Sequence, residues 1–343
     1  MRNHLAVMLS PAVELRINAA QDPAFPTAYE KQILRLRLRT TFHHRLLSRV
    51  SRGVRLIVAL LVFLSWSASW CSLGAQEKSL LWKVSRDDKR IFLLGSIHYL
   101  RQENYPLNRA ILDAFDASKR LVLEIDLNNT PAGAAQRVTL EKAIYRDGST
   151  LAQNVSQETY QLTSKRAAEL GIDMQIVQPM KPWFVALTML AVKLQRMGLN
   201  PKLGVDHHLA ERAKRDGKPT AGLETLEFQL GIFDRLSKRE QESMLRESAG
   251  EVERIDKNIN AIVQSWLDGD GDRLASLLLA GMRQYPELYQ KIIVERNQRW
   301  LEEIAKLVRE ESDVIVVVGA AHLVGKDGVV ELLKARGFKV EQR

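Results

Sequence analysis

Two histidines in this chain end the same local pattern: an apolar run, a glycine, two residues, then the imidazole. The first unit is Ile91-Phe-Leu-Leu-Gly-Ser-Ile-His98, and the second is Val314-Ile-Val-Val-Val-Gly-Ala-Ala-His322. Imidazoles ligate metals and carry protons near neutral pH, so two of them on matching backbones suggest one shared centre. One such unit alone is weak evidence, because a strand ending in glycine is common and its histidine usually caps or packs. Two copies point to a site assembled from both ends of the chain, beyond the carboxyl ends of strands, where open α/β sheets hold their ligands.

The carboxylates come next. Glu124 interrupts Leu121-Val-Leu-Glu-Ile-Asp-Leu127, which reads as a buried strand, and an unpaired carboxylate there is costly. It calls for a cation: a structural ion pair, or a role as metal ligand or general base beside the histidines. Asp126 shares its face at the two-residue period but sits nearer the strand exit. Glu224 closes Ala221-Gly-Leu-Glu-Thr225 in a similar way, although Thr225 also reads as a helix N-cap that would make Glu224 part of the cap region. Arg296, in Val294-Glu-Arg-Asn-Gln-Arg-Trp300, is either a solvated charge on a long helix or a buried partner for Glu124 or an oxyanion.

Two neutral imidazoles with one or two carboxylates make a divalent-metal site that keeps positions open for water. Bound water is acidified there and attacks a carbonyl, with a spare carboxylate as base. No His-Glu-x-x-His segment is present, so such a site would draw on distant strands. His207 and His208 are adjacent, so they point apart on a helix, and they read as a helix start after Gly204. No Gly-x-Ser-x-Gly elbow, phosphate-binding loop or dinucleotide fingerprint occurs.

The elements that would position these groups follow from periodicity. Leu80 to Ser85 and Arg90 to Ile97 read as a hairpin turned at Asp87-Asp88. Leu107 to Ala117 is an amphipathic helix, and Leu121 to Leu127 a third strand. From Pro131 to about Arg309 the chain is mostly helical, with one strand at Pro219 to Thr225. The uninterrupted β-branched run Val314 to Val318 is the mark of a strand buried on both faces. A helix from Val329 to Ala335, closed by Gly337, and a short strand at Phe338 to Val340 complete the chain. The fold class is therefore α/β: a mixed central sheet built from both chain ends, flanked by helices, with a helical insertion at about 131–309. Within the insertion, Pro182 to Val192 is apolar nearly all round, a buried helix or else a wall for an apolar or peptide-like substrate. Tyr285 to Leu307 reads as one long charged helix whose inner face carries Ile292, Ile293, Leu301 and Ile304.

The chain has 343 residues, 45% hydrophobic and 27% charged, as befits a globular protein. Its net charge of +9 is uneven. Ten Lys/Arg against three acids place seven of those charges before Leu56. The body has no basic stripe interleaved with aromatics, which argues against nucleic-acid binding. Arg52 to Arg55, the apolar run Leu56 to Leu64, and small or polar residues up to Ala75 read as a signal peptide over 51–75, with an uncleaved anchor as the alternative. Only an uncleaved segment would tie the protein to a membrane. Residues 1–50 read as a disordered leader extension or a mis-assigned start. Cys71 is the only cysteine, and Trp70 before it makes a poor lipobox; the exported body, residues 76–343, would have no disulfide. The expected location is the periplasm.

Taken together, Gly95-Ser-Ile-His98, the strand around Glu124, Pro182-Trp183, Gly204-Val-Asp206, Gly222-Leu-Glu-Thr-Leu-Glu-Phe-Gln229, Glu295-Arg-Asn297 and Gly319-Ala-Ala-His-Leu-Val-Gly325 resemble the TraB/GumN family, which is related to the Tiki proteases. The resemblance spans roughly Leu80 to Val340. It implies a sheet flanked by helices, similar to that of the erythromycin-esterase and haem-uptake ChaN proteins. It also implies a metal-dependent hydrolase site for a peptide or protein substrate, with Mn, Co or Zn as the divalent metal. On that footing His98 and His322 are metal ligands, Glu124 is a ligand or general base, and Arg296 orients that glutamate or the substrate. Glu224 matches the family's Gly-Leu-Glu-Thr pattern and joins the catalytic candidates. The family also has members with regulatory roles, including inhibition of a peptide pheromone. The alternative is thus a non-catalytic periplasmic protein that sequesters a peptide or a haem-like ligand.

Overall fold

The computed structural model describes residues 78–343, apart from 127, 132, 252–254 and 284. The expected leader extension (1–50), the expected signal peptide (51–75) and Cys71 lie outside the described residues. Strands β1 (Leu81–Arg86), β2 (Lys89–Ser96), β3 (Arg120–Leu123), β4 (Thr220–Gly222), β5 (Val314–Gly319) and β6 (Lys339–Gln342) form one sheet in the order β4-β3-β5-β2-β1-β6. β1 and β2 are the antiparallel hairpin, and Asp87 takes the left-handed conformation, φ 53°, that its tight turn needs. β5 enters between β2 and β3 and runs parallel to both, while β4 is parallel to β3 and β6 antiparallel to β1. This is the mixed α/β sheet drawn from both chain ends. Every residue of β5 is buried, as its β-branched run requires.

Parallel pairing is what positions the site. β2, β3 and β5 point the same way in register, with Ser96 opposite Gly319 and Leu123 opposite Val317. The residues that follow these strands therefore emerge at one edge. Gly95 permits the close fit between the two histidine units, because a Cβ there would lie 3.1 Å from Ala320 Cα and 3.2 Å from its Cβ.

The longer helices are α1 (Arg109–Ala117), α2 (Ala134–Ala143), α3 (Gln157–Glu169), α4 (Pro182–Arg196), α5 (Val205–Arg215), α6 (Leu226–Asp234), α7 (Lys238–Glu251), α8 (Ile255–Leu267), α9 (Gly271–Met282), α10 (Glu295–Glu310) and α11 (Val329–Ala335). Several element ends shift by one or two residues from the pattern-based expectation, and three elements differ more. β3 stops at Leu123, not Leu127, because the Asp126 carboxylate turns the chain by accepting from Asn128 N (3.1 Å), Asn129 N (3.3 Å) and Thr220 Oγ1 (2.8 Å). Asp126 is thus a loop staple. The strand expected over Pro219 to Thr225 is reduced to Thr220–Gly222, although Leu223 N and Glu224 N still donate to Leu123 O and Glu124 O, both at 2.9 Å. The helix expected over Tyr285 to Leu307 is a short turn, Pro286–Tyr289, then a π-helical turn, Gln290–Val294, then α10. Such π-turns rotate the helix that follows, and they are frequent at functional sites.

α4 takes the buried-helix reading. Pro182 occupies its first turn, and both Trp183 and Ala186 are wholly inaccessible to solvent. The Trp183 ring stacks on Phe233 with centroids 5.7 Å apart, and α4 lies along α7. No described helix is long and apolar enough to cross a membrane. Truncating so large a buried ring removes its contacts and leaves a void. Trp183→Ala should therefore lower the free energy of unfolding in urea by about 3–5 kcal/mol. A loss under about 1 kcal/mol would show that α4 is not part of the core.

Candidate active site at the carboxyl edge of the sheet

The two imidazoles are buried and meet at Gly319. A Cβ on that glycine would lie 3.5 Å from His98 Nε2, 3.6 Å from His322 Cδ2 and 3.1 Å from Glu124 Oε1. With φ −52°, Gly319 has an ordinary backbone conformation, so glycine is needed here for space. His98 sits just past β2, and its Nδ1 lies 3.0 Å from Asp206 Oδ2, a charge contact that does not complete a hydrogen bond. His322 lies in the short turn after β5. Its Nδ1 donates to Asn297 Oδ1 at 2.7 Å, and its Nε2 accepts from Arg296 Nη1 at 2.9 Å. The Asn297 amide is itself oriented by donating to Asp327 O at 2.7 Å, which leaves its oxygen for the ring. These partners fix His322 as the Nδ1-protonated neutral tautomer.

Arg296 is the hub. Its Nη2 donates to Glu124 Oε2 at 2.6 Å and to Glu224 Oε1 at 2.7 Å, and its Nε to both Glu224 oxygens at 3.1 and 3.2 Å. The guanidinium lies 4.5 Å from the centre of the Trp300 ring, which is 4.5 Å from the His322 ring. Glu124 also accepts from Gly319 N at 2.7 Å, and Gln229 Nε2 bridges Glu124 Oε2 and Glu224 Oε1 at 3.1 Å each. Trp300 Nε1 donates to Glu224 Oε2 at 3.1 Å. Thr225 meanwhile caps α6 by accepting from Phe228 N, so Glu224 belongs to the charged cluster and its neighbour to the cap. Arg296 is no solvated helix charge: only 4% of it is exposed.

Burial alone would raise the Glu124 carboxyl, but Arg296, the nearby histidines and the Gly319 amide carry it down to about 2, so it is ionised. Burial, aided by the Arg296 charge, holds His322 down to about 3. For His98, burial is outweighed by Asp206, assisted by Glu124, and its value is raised. Glu224 is raised by burial and by the adjacent Glu124 charge despite Arg296. The two imidazoles are therefore chemically unlike: one favours a proton and the other refuses it.

Among the described residues, no group of three or more His, Cys, Asp or Glu side chains is gathered to hold a metal ion as it stands. The reason is visible in the geometry. Arg296 occupies Glu124 Oε2 and His322 Nε2, donors that a metal would need. The residues nevertheless fit a divalent cation in kind. Two carboxylates, Glu124 and Glu224, face the single guanidinium and a third, Asp206, lies against His98, so acidic groups outnumber the guanidinium, a surplus that a bound cation would offset. His98 Nε2 has no hydrogen-bond partner among the described residues, and the space beside Gly319 adjoins His98 Nε2 and Glu124 Oε1. Full ligation by both histidines would require Arg296 to release His322.

The five candidate residues from the sequence, His98, Glu124, Glu224, Arg296 and His322, thus lie in one cluster. Asp206, Gln229, Asn297 and Trp300 belong with them and were not singled out as site residues. One signal was available. Arg296 and Asn297 stand four residues before Trp300 and Leu301, so both are polar groups on the apolar stripe of α10. Asp206 and Gln229 close two of the segments that carry the family resemblance, Gly204-Val-Asp206 and Gly222 to Gln229, but their local pattern gives them no role.

This architecture defines a class: an α/β sheet protein whose parallel strand ends gather two histidines and two carboxylates around a buried arginine. The TraB/PrgY/gumN family matches residues 80–342, and the chain belongs to that family. It is similar to the uncharacterized protein YbaP of Escherichia coli (strain K12), 23% identical over 247 residues, covering 72% of this chain and 89% of the relative. An uncharacterized protein of Treponema pallidum (strain Nichols) is 23% identical over 302 residues, covering 82% of this chain and 89% of its own. No solved structure matches the chain.

The His322 shift has a definite sign. Between its ordinary 6.5 and about 3, the native state binds fewer protons than the unfolded one. Stability from this group is therefore full above pH 6.5 and is lost as pH falls towards 3. Glu124 adds a further loss below its ordinary 4.5. In the metal-free protein, nitrogen NMR of labelled histidine should find the His322 ring neutral and protonated at Nδ1 at pH 5. A charged imidazolium at that pH would contradict the bonding described.

Proposed function

We propose that this protein is an exported, metal-dependent hydrolase of peptide-like bonds, acting in the periplasm on a peptide or protein substrate. The observation that carries the reading is the delivery of both Gly-x-x-His units by adjacent parallel strands to the side of one ionised glutamate, Glu124. His98 and His322 would hold a divalent metal such as Mn, Co or Zn beside Glu124, and that ion would polarise the substrate carbonyl and acidify a water.

The chain's own groups do the rest. Glu124 is the proton acceptor, because its Oε1 adjoins the space beside Gly319 that His98 Nε2 also adjoins. It takes the proton of the attacking water as the oxygen–carbon bond forms. It then returns a proton to the departing amine nitrogen as the carbon–nitrogen bond breaks. Arg296, once clear of His322, offers its guanidinium edge to negative charge developing on the carbonyl oxygen. Glu224, Gln229 and Trp300 hold that arginine and the Glu124 carboxylate in place. Export rests on the signal-like segment 51–75.

The deciding experiment is metal analysis of the chain purified without chelators, beside His98→Ala and His322→Ala. Near-stoichiometric divalent metal in the parent, lost in both variants, with chelator-sensitive cleavage of a peptide library, is the expected result. A folded parent that takes up none of Mn, Co or Zn overturns the mechanism, and tight peptide binding without cleavage would then favour the sequestering alternative. Gly319→Ala provides a separate check, since its methyl would enter the space between His98 and Glu124. The fold should survive with a loss of about 1–3 kcal/mol, while metal uptake and cleavage fall at least tenfold. Unchanged metal affinity in that variant would place the site elsewhere.

A further inference from the structure

Asp206 is a carboxylate with no evident structural task. It lies in the first turn of α5, only 9% of it is exposed, and its Oδ1 is buried without a hydrogen-bond partner among the described residues. A helix N-terminus offsets some of that charge, yet an exposed acid would gain the same benefit without desolvation. What Asp206 does touch is His98 Nδ1, at 3.0 Å.

The backbone is shaped for that contact. A Cβ on Gly204 would lie 2.4 Å from His98 O and 2.8 Å from His98 C, a distance no side chain tolerates. With φ −58° and ψ 144°, Gly204 is not there for an unusual conformation. Its absent side chain lets the start of α5 sit directly on the His98 backbone, where Val205 N donates to Ile97 O at 3.0 Å. Val205 is wholly buried and anchors the helix end. The next residue is Asp206, which this docking sets beside the ring. Gly204-Val205-Asp206 thus acts as a unit: room, anchor, carboxylate.

The consequence concerns the other ring nitrogen. A free histidine side chain favours its proton on Nε2, and in that form Nε2 has no lone pair to offer. A carboxylate at Nδ1 draws the proton there and turns the Nε2 lone pair towards the space beside Gly319. Asn297 makes the matching contact to Nδ1 of His322, at 2.7 Å. We infer that Asp206 is the positioning residue of the site, holding His98 in the Nδ1-protonated tautomer so that its Nε2 faces the shared space with Glu124. The inference deepens the hydrolase reading and rests on it for its metal arm alone.

The test uses the full chain with Asp206→Ala and Asp206→Asn, and two measurements. The first is nitrogen NMR of the His98 ring in the metal-free protein. The Ala variant should shift from the Nδ1-protonated form towards the Nε2-protonated form. The Asn variant, which keeps an oxygen beside Nδ1, should restore the parent tautomer, a rescue that a merely structural carboxylate would not produce. The second is cobalt titration followed by visible absorption and calorimetry. Affinity should fall about 10–100-fold in the Ala variant, with a changed absorption band. An unchanged His98 tautomer in a folded Asp206→Ala protein overturns the inference. A parent that binds no cobalt yet shows the tautomer shift sinks the metal reading and leaves the positioning role supported.

Discussion

A guanidinium buried between two carboxylates and an imidazole is the interaction on which this site depends. Without Arg296, Glu124 and Glu224 would lie beside one another in the interior as unneutralised charges, an arrangement that costs roughly 3–5 kcal/mol when a partner is lost. The arginine reaches them because α10 begins after a π-turn and because Trp300, one helical turn further on, offers a ring face at 4.5 Å. Its planar fork lets one side chain satisfy Glu124, Glu224 and His322 together, which the compact ammonium of a lysine could not do.

The same arginine explains how a cluster suited to a cation can hold together without one. It supplies one positive charge where the carboxylates require more, and it occupies donors that a metal would use. Asp206 and Asn297, contacting the two rings at Nδ1, leave the Nε2 atoms to the interior of the site. The rings then diverge in character. Burial works against a proton on either ring; at His98 the Asp206 carboxylate outweighs it, while at His322 the Arg296 guanidinium adds to it. Two copies of one sequence motif thereby give two unlike chemical groups.

The sheet gives this chemistry its rigid base. β5 lies between β2 and β3 with parallel register to each, so small errors in one strand cannot separate the strand ends that lead to His98, Glu124 and His322 independently. The helical insertion between β3 and β5 supplies the second half of the site: Asp206 from α5, Gln229 from α6, and Arg296, Asn297 and Trp300 from α10. Its buried helix α4 contributes core packing to the insertion.

The strands, most of the helices and the pairing of the two histidines were legible in the order of residues alone. Those features follow from local physics: β-branched runs, a helical period and the freedom of glycine act within a few residues. The same order also marked Glu124 as a charge in need of a partner, since an acid in an apolar run is conspicuous without any structure. Who that partner is comes from packing, because Arg296 lies 172 residues away. The same holds for Asp206, whose neighbours in sequence look like an ordinary charged helix start. Its proximity to His98 exists because Gly204 lacks a side chain just where two backbones meet. Periodicity reports which face of an element is buried; what lies against that face is settled by packing between distant segments.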